Sequence, residues 1–102
     1  MDPYRPSRYA GEQLRRHIRV TVHGYMRGRL EALGRSLSAL QVSTDVVRER
    51  VLDSLALTGL IAAVEHATGR EIDFLDVDPD ALGTIEEIVD ELTRVLESSA
   101  GR

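Results

Sequence analysis

The sequence predicts an all-α fold, a four-helix bundle with a long first helix and a short third helix. Apolar residues recur at three- and four-residue steps, and no useful length of chain alternates with the two-residue period of a strand. At 102 residues the chain is one domain, and such a domain buries about 60–65% of its unfolded surface. We expect a flexible tail over residues 1–10, a helical domain over 11–97 and a second flexible tail over 98–102.

The first helix is predicted from Gly11 to about Leu37, with arginines over most of its remaining surface. Three glycines, at 24, 28 and 34, each disfavour one unbroken rod by about 1 kcal/mol relative to alanine. The predicted buried stripe is Leu14, Ile18, Val22, Tyr25 or Met26, Leu30, Leu33 and Leu37. A connector from Ser38 to Thr44 follows, in which Leu40 and Val42 are expected to point inward.

A short turn is predicted over Asp45 to Arg50, capped by Ser43 or Thr44. A second helix then runs from an Asp-Ser-Leu triplet at residues 53–55 to Gly69, a residue suited to the left-handed conformation that ends helices. Its predicted buried face is Leu57, Leu60, Ile61 and Val64. On pattern alone, Asp45 to Ala67 could even form one continuous helix.

The loop from Glu71 to Gly83 is acidic and includes the expected short third helical turn. Its apolar residues are predicted to fill the end of the bundle: Ile72, Phe74, Leu75 and Val77. Thr84 is expected to cap the last helix, with Glu86 and Glu87 in the first turn. The predicted buried stripe of that helix is Ile85, Ile88, Val89, Leu92, Val95 and Leu96.

The stretch from Asp53 to Gly69 resembles the second helix of acyl carrier proteins, in which the modified serine lies in an Asp-Ser-Leu triplet. Glu71-Ile72-Asp73 and Gly83-Thr84-Ile85-Glu86-Glu87-Ile88-Val89 resemble that family's third-helix loop and the start of its last helix. The likeness covers the C-terminal half well and the N-terminal half loosely. The family's glycine before the triplet is missing, since Arg50-Val51-Leu52 precede Asp53.

The resemblance implies a four-helix bundle of acyl-carrier-protein type that carries 4′-phosphopantetheine on Ser54. Asp53 and Leu55 would be flanking recognition residues. It further implies a stand-alone, monomeric carrier of acyl or aminoacyl thioesters that is not itself an enzyme. Its partners would be a phosphopantetheinyl transferase, an acyl- or aminoacyl-loading ligase, and downstream transferases or synthases of fatty acid, polyketide or nonribosomal peptide biosynthesis.

The serine helix carries few acids on the face that is expected to be exposed. Ala56 and Gly59 are assigned to that face, and Glu65 is the acid near the helix end. A housekeeping fatty-acid carrier would be more acidic there, so the pattern favours a dedicated carrier in a specialised biosynthetic pathway.

The composition excludes several kinds of chemistry and indicates where the protein is located. The chain has no cysteine, which excludes disulfides, thiolate catalysis and Cys-ligated zinc. No stretch is long and apolar enough to span a bilayer, and no signal peptide opens the chain, so we expect a cytoplasmic protein without a membrane partner. The net charge is +5 over residues 1–50 and −9 over residues 51–102, which sum to −4. Either the two halves attract within one domain, or the acidic half docks onto basic partners.

Three other types of site have partial support in the sequence. The arginine-rich first helix could contact nucleic acid, but the chain is acidic overall and lacks interleaved aromatics, so no nucleic-acid partner is expected. Asp76, Asp78, Asp80 and Glu87 have calcium-loop spacing, but Ala81 stands where such a loop needs glycine. The three histidines offer no metal pair. A small helical interaction module without a prosthetic group remains the alternative function.

Overall fold

The computed structural model describes residues 8–35 and 42–100. The three α-helices in these ranges are α1 (Arg8–Ala32), α2 (Ser54–Thr68) and α3 (Ile85–Ala100). Two single-turn 3₁₀ helices, Phe74–Asp76 and Pro79–Ala81, occupy the place of the predicted short third helix. The described residues contain no strand, which confirms the all-α class.

The long first helix is confirmed, but it begins at Arg8 and passes through Gly24 and Gly28 without interruption. Its predicted stripe is buried up to the last turn: Ile18, Val22, Met26 and Leu30 are inaccessible to solvent, and Leu14 and Tyr25 pack against them. α1 contacts both α2 and α3, and its buried stripe belongs to one apolar cluster that includes residues of all three helices.

The predicted C-terminal end of the first helix is wrong. Gly34 has a φ of +71°, and its N–H donates to the Glu31 carbonyl at 3.0 Å. The Arg35 N–H donates back to the Leu30 carbonyl at 2.8 Å, which completes a Schellman motif. The glycine therefore ends the helix at Ala32, and Leu33 is 42% exposed instead of buried. Leu37 lies outside the described residues.

The other two helices bury most of the residues predicted, but α2 also buries Ala56, which was expected to be exposed. In α2 the buried residues are Ala56, Leu60, Ile61 and Val64, with Leu57 partly buried against them. In α3 they include Ile88, Val89, Leu92, Val95 and Leu96, with Ile85 packed beside them. The Thr84 hydroxyl accepts from the Glu87 N–H at 3.2 Å, and the Glu87 carboxylate accepts from the Thr84 N–H at 2.9 Å. This reciprocal capping box confirms the predicted start of α3.

Only half of the predicted apolar contacts of the 71–83 loop are present. Ile72 and Val77 are buried, each 7% exposed, whereas Phe74 is 50% exposed and Leu75 is 91% exposed. The Asp73 carboxylate accepts from the Leu75 N–H at 2.9 Å and thereby starts a tight 3₁₀ turn. Because that turn lies between the two buried anchors, it projects away from the core.

Buried and half-buried carboxylates hold this loop against the helices. The Glu65 carboxylate of α2 accepts from the Ile72 N–H at 2.8 Å, and the Glu91 carboxylate of α3 accepts from the Asp78 N–H at 2.7 Å. Arg94 donates to both Glu91 oxygens at 2.7 Å and to the Asp76 carbonyl at 3.0 Å. Hydrogen bonds from Arg94 lower the pKa of Glu91, and burial opposes that shift.

Candidate functional site

The chain reaches α2 through a single helical turn over residues 46–50. The Asp45 carboxylate caps this turn by accepting from the Val47 N–H at 3.1 Å and the Arg48 N–H at 2.8 Å. Asp45 therefore takes the capping role that the sequence assigned to Ser43 or Thr44. The Val46 N–H donates to the Gly83 carbonyl at 2.9 Å, so the turn is fixed to the residue that precedes the α3 cap.

The same segment corrects one expectation about packing. Val42 was expected to point inward, but its side chain is 89% exposed. Leu40 lies outside the described residues. The apolar residues that reach the core from this part of the chain are Val46, Val51 and Leu52.

A sharp backbone change separates this turn from α2. Arg50 has a φ of +60°, and the N–H groups of Val51 and Leu52 both donate to the Val46 carbonyl at 2.9 Å. Val51 and Leu52 are buried, with exposures of 0% and 2%. The chain therefore folds back into the core before α2 begins, and a continuous helix from Asp45 to Ala67 is excluded.

Asp53 is the N-cap of α2. Its Oδ1 accepts from the Ala56 N–H at 2.8 Å, and its extended backbone is typical of the position before a helix. Its Oδ2 accepts from Arg29 Nη2 at 3.1 Å. The residue predicted to flank the site for recognition thus also has two structural roles in presenting the helix.

Ser54 is the first residue of α2 and is exposed to solvent. Leu55 follows it with 82% of its surface exposed, although leucine is costly to leave in water. The structure therefore places all three predicted site residues together at the exposed N-terminus of α2, on the side away from the core. At this position the positive end of the helix dipole favours an attached anion.

The exposed face of α2 differs in membership from the prediction. Ala56 is 5% exposed, Gly59 is half-buried, and Glu65 is half-buried and bonded to the Ile72 N–H. The exposed positions of the helix are Ser54, Leu55, Thr58, Ala62 and His66. None of these five is acidic, so the expected low acidity of the face remains although its residues change.

Arg29 is the residue near the site that the sequence did not single out. It was one of several arginines assigned to the surface of the first helix, yet its guanidinium contacts both Val51 and Asp53. Its position beside the buried Leu30 was the available signal, because a residue at the edge of an apolar stripe faces the neighbouring element.

Two of the four acids with calcium-loop spacing make structural hydrogen bonds. The Asp78 carboxylate accepts from the Asp80 N–H at 2.9 Å, and Glu87 belongs to the capping box of α3. Within residues 8–35 and 42–100, no group of three or more histidine or acidic side chains could hold a metal ion. None of the helices in those ranges has both the length and the apolar character needed to span a bilayer.

Comparison of the chain with protein-family models, with curated proteins and with solved structures gave no match in any of the three.

Proposed function

We propose that this chain is a stand-alone carrier protein that holds an acyl or aminoacyl cargo as a thioester on a phosphopantetheine arm attached to Ser54. The observation that carries this proposal is the exposed serine at the first position of α2, immediately after the Asp53 cap. An arm attached there would start from a rigid helix and extend into solvent. The fold is accordingly proposed to be a variant of the acyl-carrier-protein bundle, with 3₁₀ turns where the short third helix would lie.

The residues around Ser54 fit the attached group chemically. A phosphodiester on its hydroxyl would lie at the positive end of the α2 dipole, next to backbone N–H groups of the first turn. The arm would supply the thiol that a sequence without cysteine lacks. Asp53 keeps the first turn ordered, and Leu55 offers an exposed apolar contact to an enzyme that approaches the serine.

Attachment needs only a nucleophilic hydroxyl from this chain. A phosphopantetheinyl transferase with magnesium would join the Ser54 oxygen to the phosphorus that bears pantetheine, and the pyrophosphate bond of coenzyme A would break. Adenosine 3′,5′-bisphosphate leaves, and the serine proton passes to a base of the transferase. We therefore propose that the chain is not an enzyme and that partner enzymes catalyse modification, loading and transfer.

The face around the serine supports a dedicated carrier. Its exposed α2 residues include no acid, so the loading ligase and the downstream transferases or synthases would not depend on an acidic recognition helix. We propose a monomer that serves a specialised biosynthetic pathway in the cytoplasm.

Mass spectrometry of the intact chain tests the attachment. The full chain is incubated with coenzyme A, magnesium and a broad-specificity phosphopantetheinyl transferase, and a mass gain of one phosphopantetheine is expected. Ser54→Ala should abolish the gain, and Ser43→Ala, which changes another exposed serine, should retain it. Both variants should unfold within about 0.5 kcal/mol of the parent chain, since surface substitutions rarely cost more. An unchanged mass of the parent chain contradicts the carrier function.

The alternative is a small helical interaction module without a prosthetic group. One observation favours it: Phe74 and Leu75 project from a well-anchored acidic loop, 50% and 91% exposed. Two adjacent exposed apolar side chains on ordered backbone offer a partner protein an apolar contact. The mass measurement separates the two functions, because a module of this kind would not be modified on Ser54.

A further inference from the structure

Arg29 links the end of α1 to the segment that precedes α2. Its Nε donates to the Val51 carbonyl at 3.0 Å, and its Nη2 donates to Asp53 Oδ2 at 3.1 Å. Its side chain is 27% exposed, so the guanidinium is partly sheltered from water. A planar guanidinium that donates in two directions restrains both acceptors more tightly than a single flexible ammonium would.

The two oxygens of Asp53 have different partners. Oδ1 accepts from the Ala56 N–H inside the first turn of α2, whereas Oδ2 accepts from Arg29 on another helix. Rotation of the carboxylate would break one of these bonds. Arg29 consequently restrains the backbone at Val51 and the capping carboxylate of Asp53. Through these two residues it also restrains Ser54, which follows Asp53.

We propose that Arg29 is a positioning residue for Ser54, which fixes the orientation in which a modifying enzyme meets the serine hydroxyl. This role rests on the proposed function, because it concerns transfer of phosphopantetheine to that hydroxyl. Displacement of a reacting atom by about 1 Å can slow a reaction by about a hundredfold, even when the mutated residue does not touch the reacting groups. Loss of the Arg29 contacts allows displacement of this kind without removing any core residue.

A second arginine of α1 provides a matched control. Arg19 Nε and Nη2 donate to the two Glu86 oxygens at 3.0 and 2.8 Å, and this fork ties α1 to the start of α3. Arg19 and Arg29 lie on one helix and each makes two hydrogen bonds to a neighbouring element. Only the bonds of Arg29 reach the residues next to Ser54.

The test compares Arg29→Gln, Arg29→Lys and Arg19→Gln as full chains, with coenzyme A and a phosphopantetheinyl transferase. We expect Arg29→Gln to lower kcat for modification roughly tenfold or more, with little change in KM, because the hydroxyl is misplaced after binding. Arg29→Lys should retain part of the rate, since lysine keeps the charge but not the fork. Arg19→Gln should retain the modification rate of the parent chain even if its Tm falls as far as that of Arg29→Gln.

Asp53→Asn tests the same Arg29–Asp53 contact from the other residue. Asparagine still caps a helix, but it loses the charged contact with Arg29. Its kcat should fall less than that of Arg29→Gln, and the double variant should be little slower than Arg29→Gln alone. If Arg29→Gln fails to fold, Arg29→Lys and Asp53→Asn carry the comparison.

Amide hydrogen exchange separates failure of this role from failure of the carrier function. In Arg29→Gln the Ala56 N–H should exchange severalfold faster than in the parent chain, and in Arg19→Gln it should not. If the parent chain takes no phosphopantetheine, the carrier function fails, and this exchange rate still decides whether Arg29 orders the start of α2. A folded Arg29→Gln with the parent kcat, or with unchanged Ala56 exchange, overturns the proposal.

Discussion

Arg50 has a backbone conformation that glycine usually adopts. Its φ is +60°, its N–H donates to the Val47 carbonyl at 3.1 Å, and the Val51 N–H donates to the Val46 carbonyl at 2.9 Å. This is the hydrogen-bond pattern by which Gly34 ends α1. A side chain in the left-handed region costs about 1 kcal/mol or more. Burial of Val51 offsets that cost, and the turn keeps Ser54 out of a continuous helix.

Substitution of Arg50 by glycine should therefore stabilise the protein. We expect Arg50→Gly to raise the free energy of unfolding by about 0.5–1 kcal/mol, because glycine adopts a positive φ without steric cost. Denaturant unfolding measures the change. Arg48→Gly is the matched control in the same turn and should lower stability by up to about 1 kcal/mol, since its φ is not positive. Equal destabilisation by both substitutions would show that Arg50 is unstrained.

Packing of α1 against α2 depends on the absence of a side chain at Gly59. A Cβ added at Gly59 would meet the hydroxyl of Tyr25, and it would lie 3.2 Å from the ring carbon that bears that hydroxyl. Gly59 lies inside a helix, where glycine is unfavourable by about 1 kcal/mol relative to alanine. The glycine is consistent with the close approach of the tyrosine ring, which brings the two helices together near the site.

Overpacking at Gly59→Ala should cost about 1–3 kcal/mol. The gain of about 1 kcal/mol in helix propensity reduces the expected net destabilisation to about 0–2 kcal/mol. In a Tyr25→Phe background the same substitution should cost clearly less, because the hydroxyl is gone. Gly24→Ala, where an added Cβ has open space, should stabilise by up to about 1 kcal/mol. Thermal and denaturant unfolding of the four variants measure this coupling, and equal costs in both backgrounds would refute the contact.

Across the whole molecule, the charge asymmetry between the two halves is partly neutralised by contacts within the domain. Arg15 pairs with Asp90, Arg19 with Glu86 and Arg29 with Asp53, and each pair joins the basic half to the acidic half. Exposed pairs contribute about 0–1 kcal/mol each, so these three pairs account for little of the stability. Internal attraction therefore explains part of the asymmetry, and docking of the acidic half onto basic partners stays a prediction.

Two of the carboxylates predict how stability responds to acid. Hydrogen bonds from Arg19 lower the pKa of Glu86, and those from Arg94 lower the pKa of Glu91, below the ordinary value of 4.5. In the unfolded chain both groups bind protons more readily, so their contribution is complete above the ordinary value and is lost as pH falls through the lowered pKa. The free energy of unfolding should decrease over that window.

Glu91→Gln tests whether Glu91 contributes to this acid response. The glutamine oxygen can still accept from the Asp78 N–H, but the charged contact with Arg94 is lost. Stability should be lower at neutral pH and should fall less steeply below about pH 4.5. Denaturant unfolding across pH measures both effects, with Glu12→Gln, an exposed glutamate of α1, as the control. A variant with the parent's acid profile would show that Glu91 is not responsible.

Many features that depend on neighbours in sequence could be predicted, although the local cap at Asp45 and the helix end at Gly34 were not. Features that depend on distant partners could not be predicted. The buried stripes of α2 and α3 follow a local period, and the Thr84 cap has its partner three residues away. The Arg29–Asp53 contact joins residues 24 positions apart. The place of Arg29 at the edge of the apolar stripe indicates that it faces a neighbouring element, but it does not identify Asp53 as the partner. The apolar pattern of the 71–83 loop does not show that Leu75 points into solvent. The sequence also does not show which of the three glycines, at 24, 28 and 34, adopts the positive φ that ends α1.

The start of α1 and the end of α3 lie close together, and this has a practical consequence. An added Cβ at Gly11, near the start of α1, would lie 3.6 Å from the Glu97 carboxylate, near the end of α3. Arg29, which contacts the start of α2, is about 27 Å further along the α1 axis at 1.5 Å per residue. A label or surface tether attached to the first turn of α1 or the last turn of α3 is therefore expected to leave Ser54 accessible, and either position should serve for assays of the proposed modification.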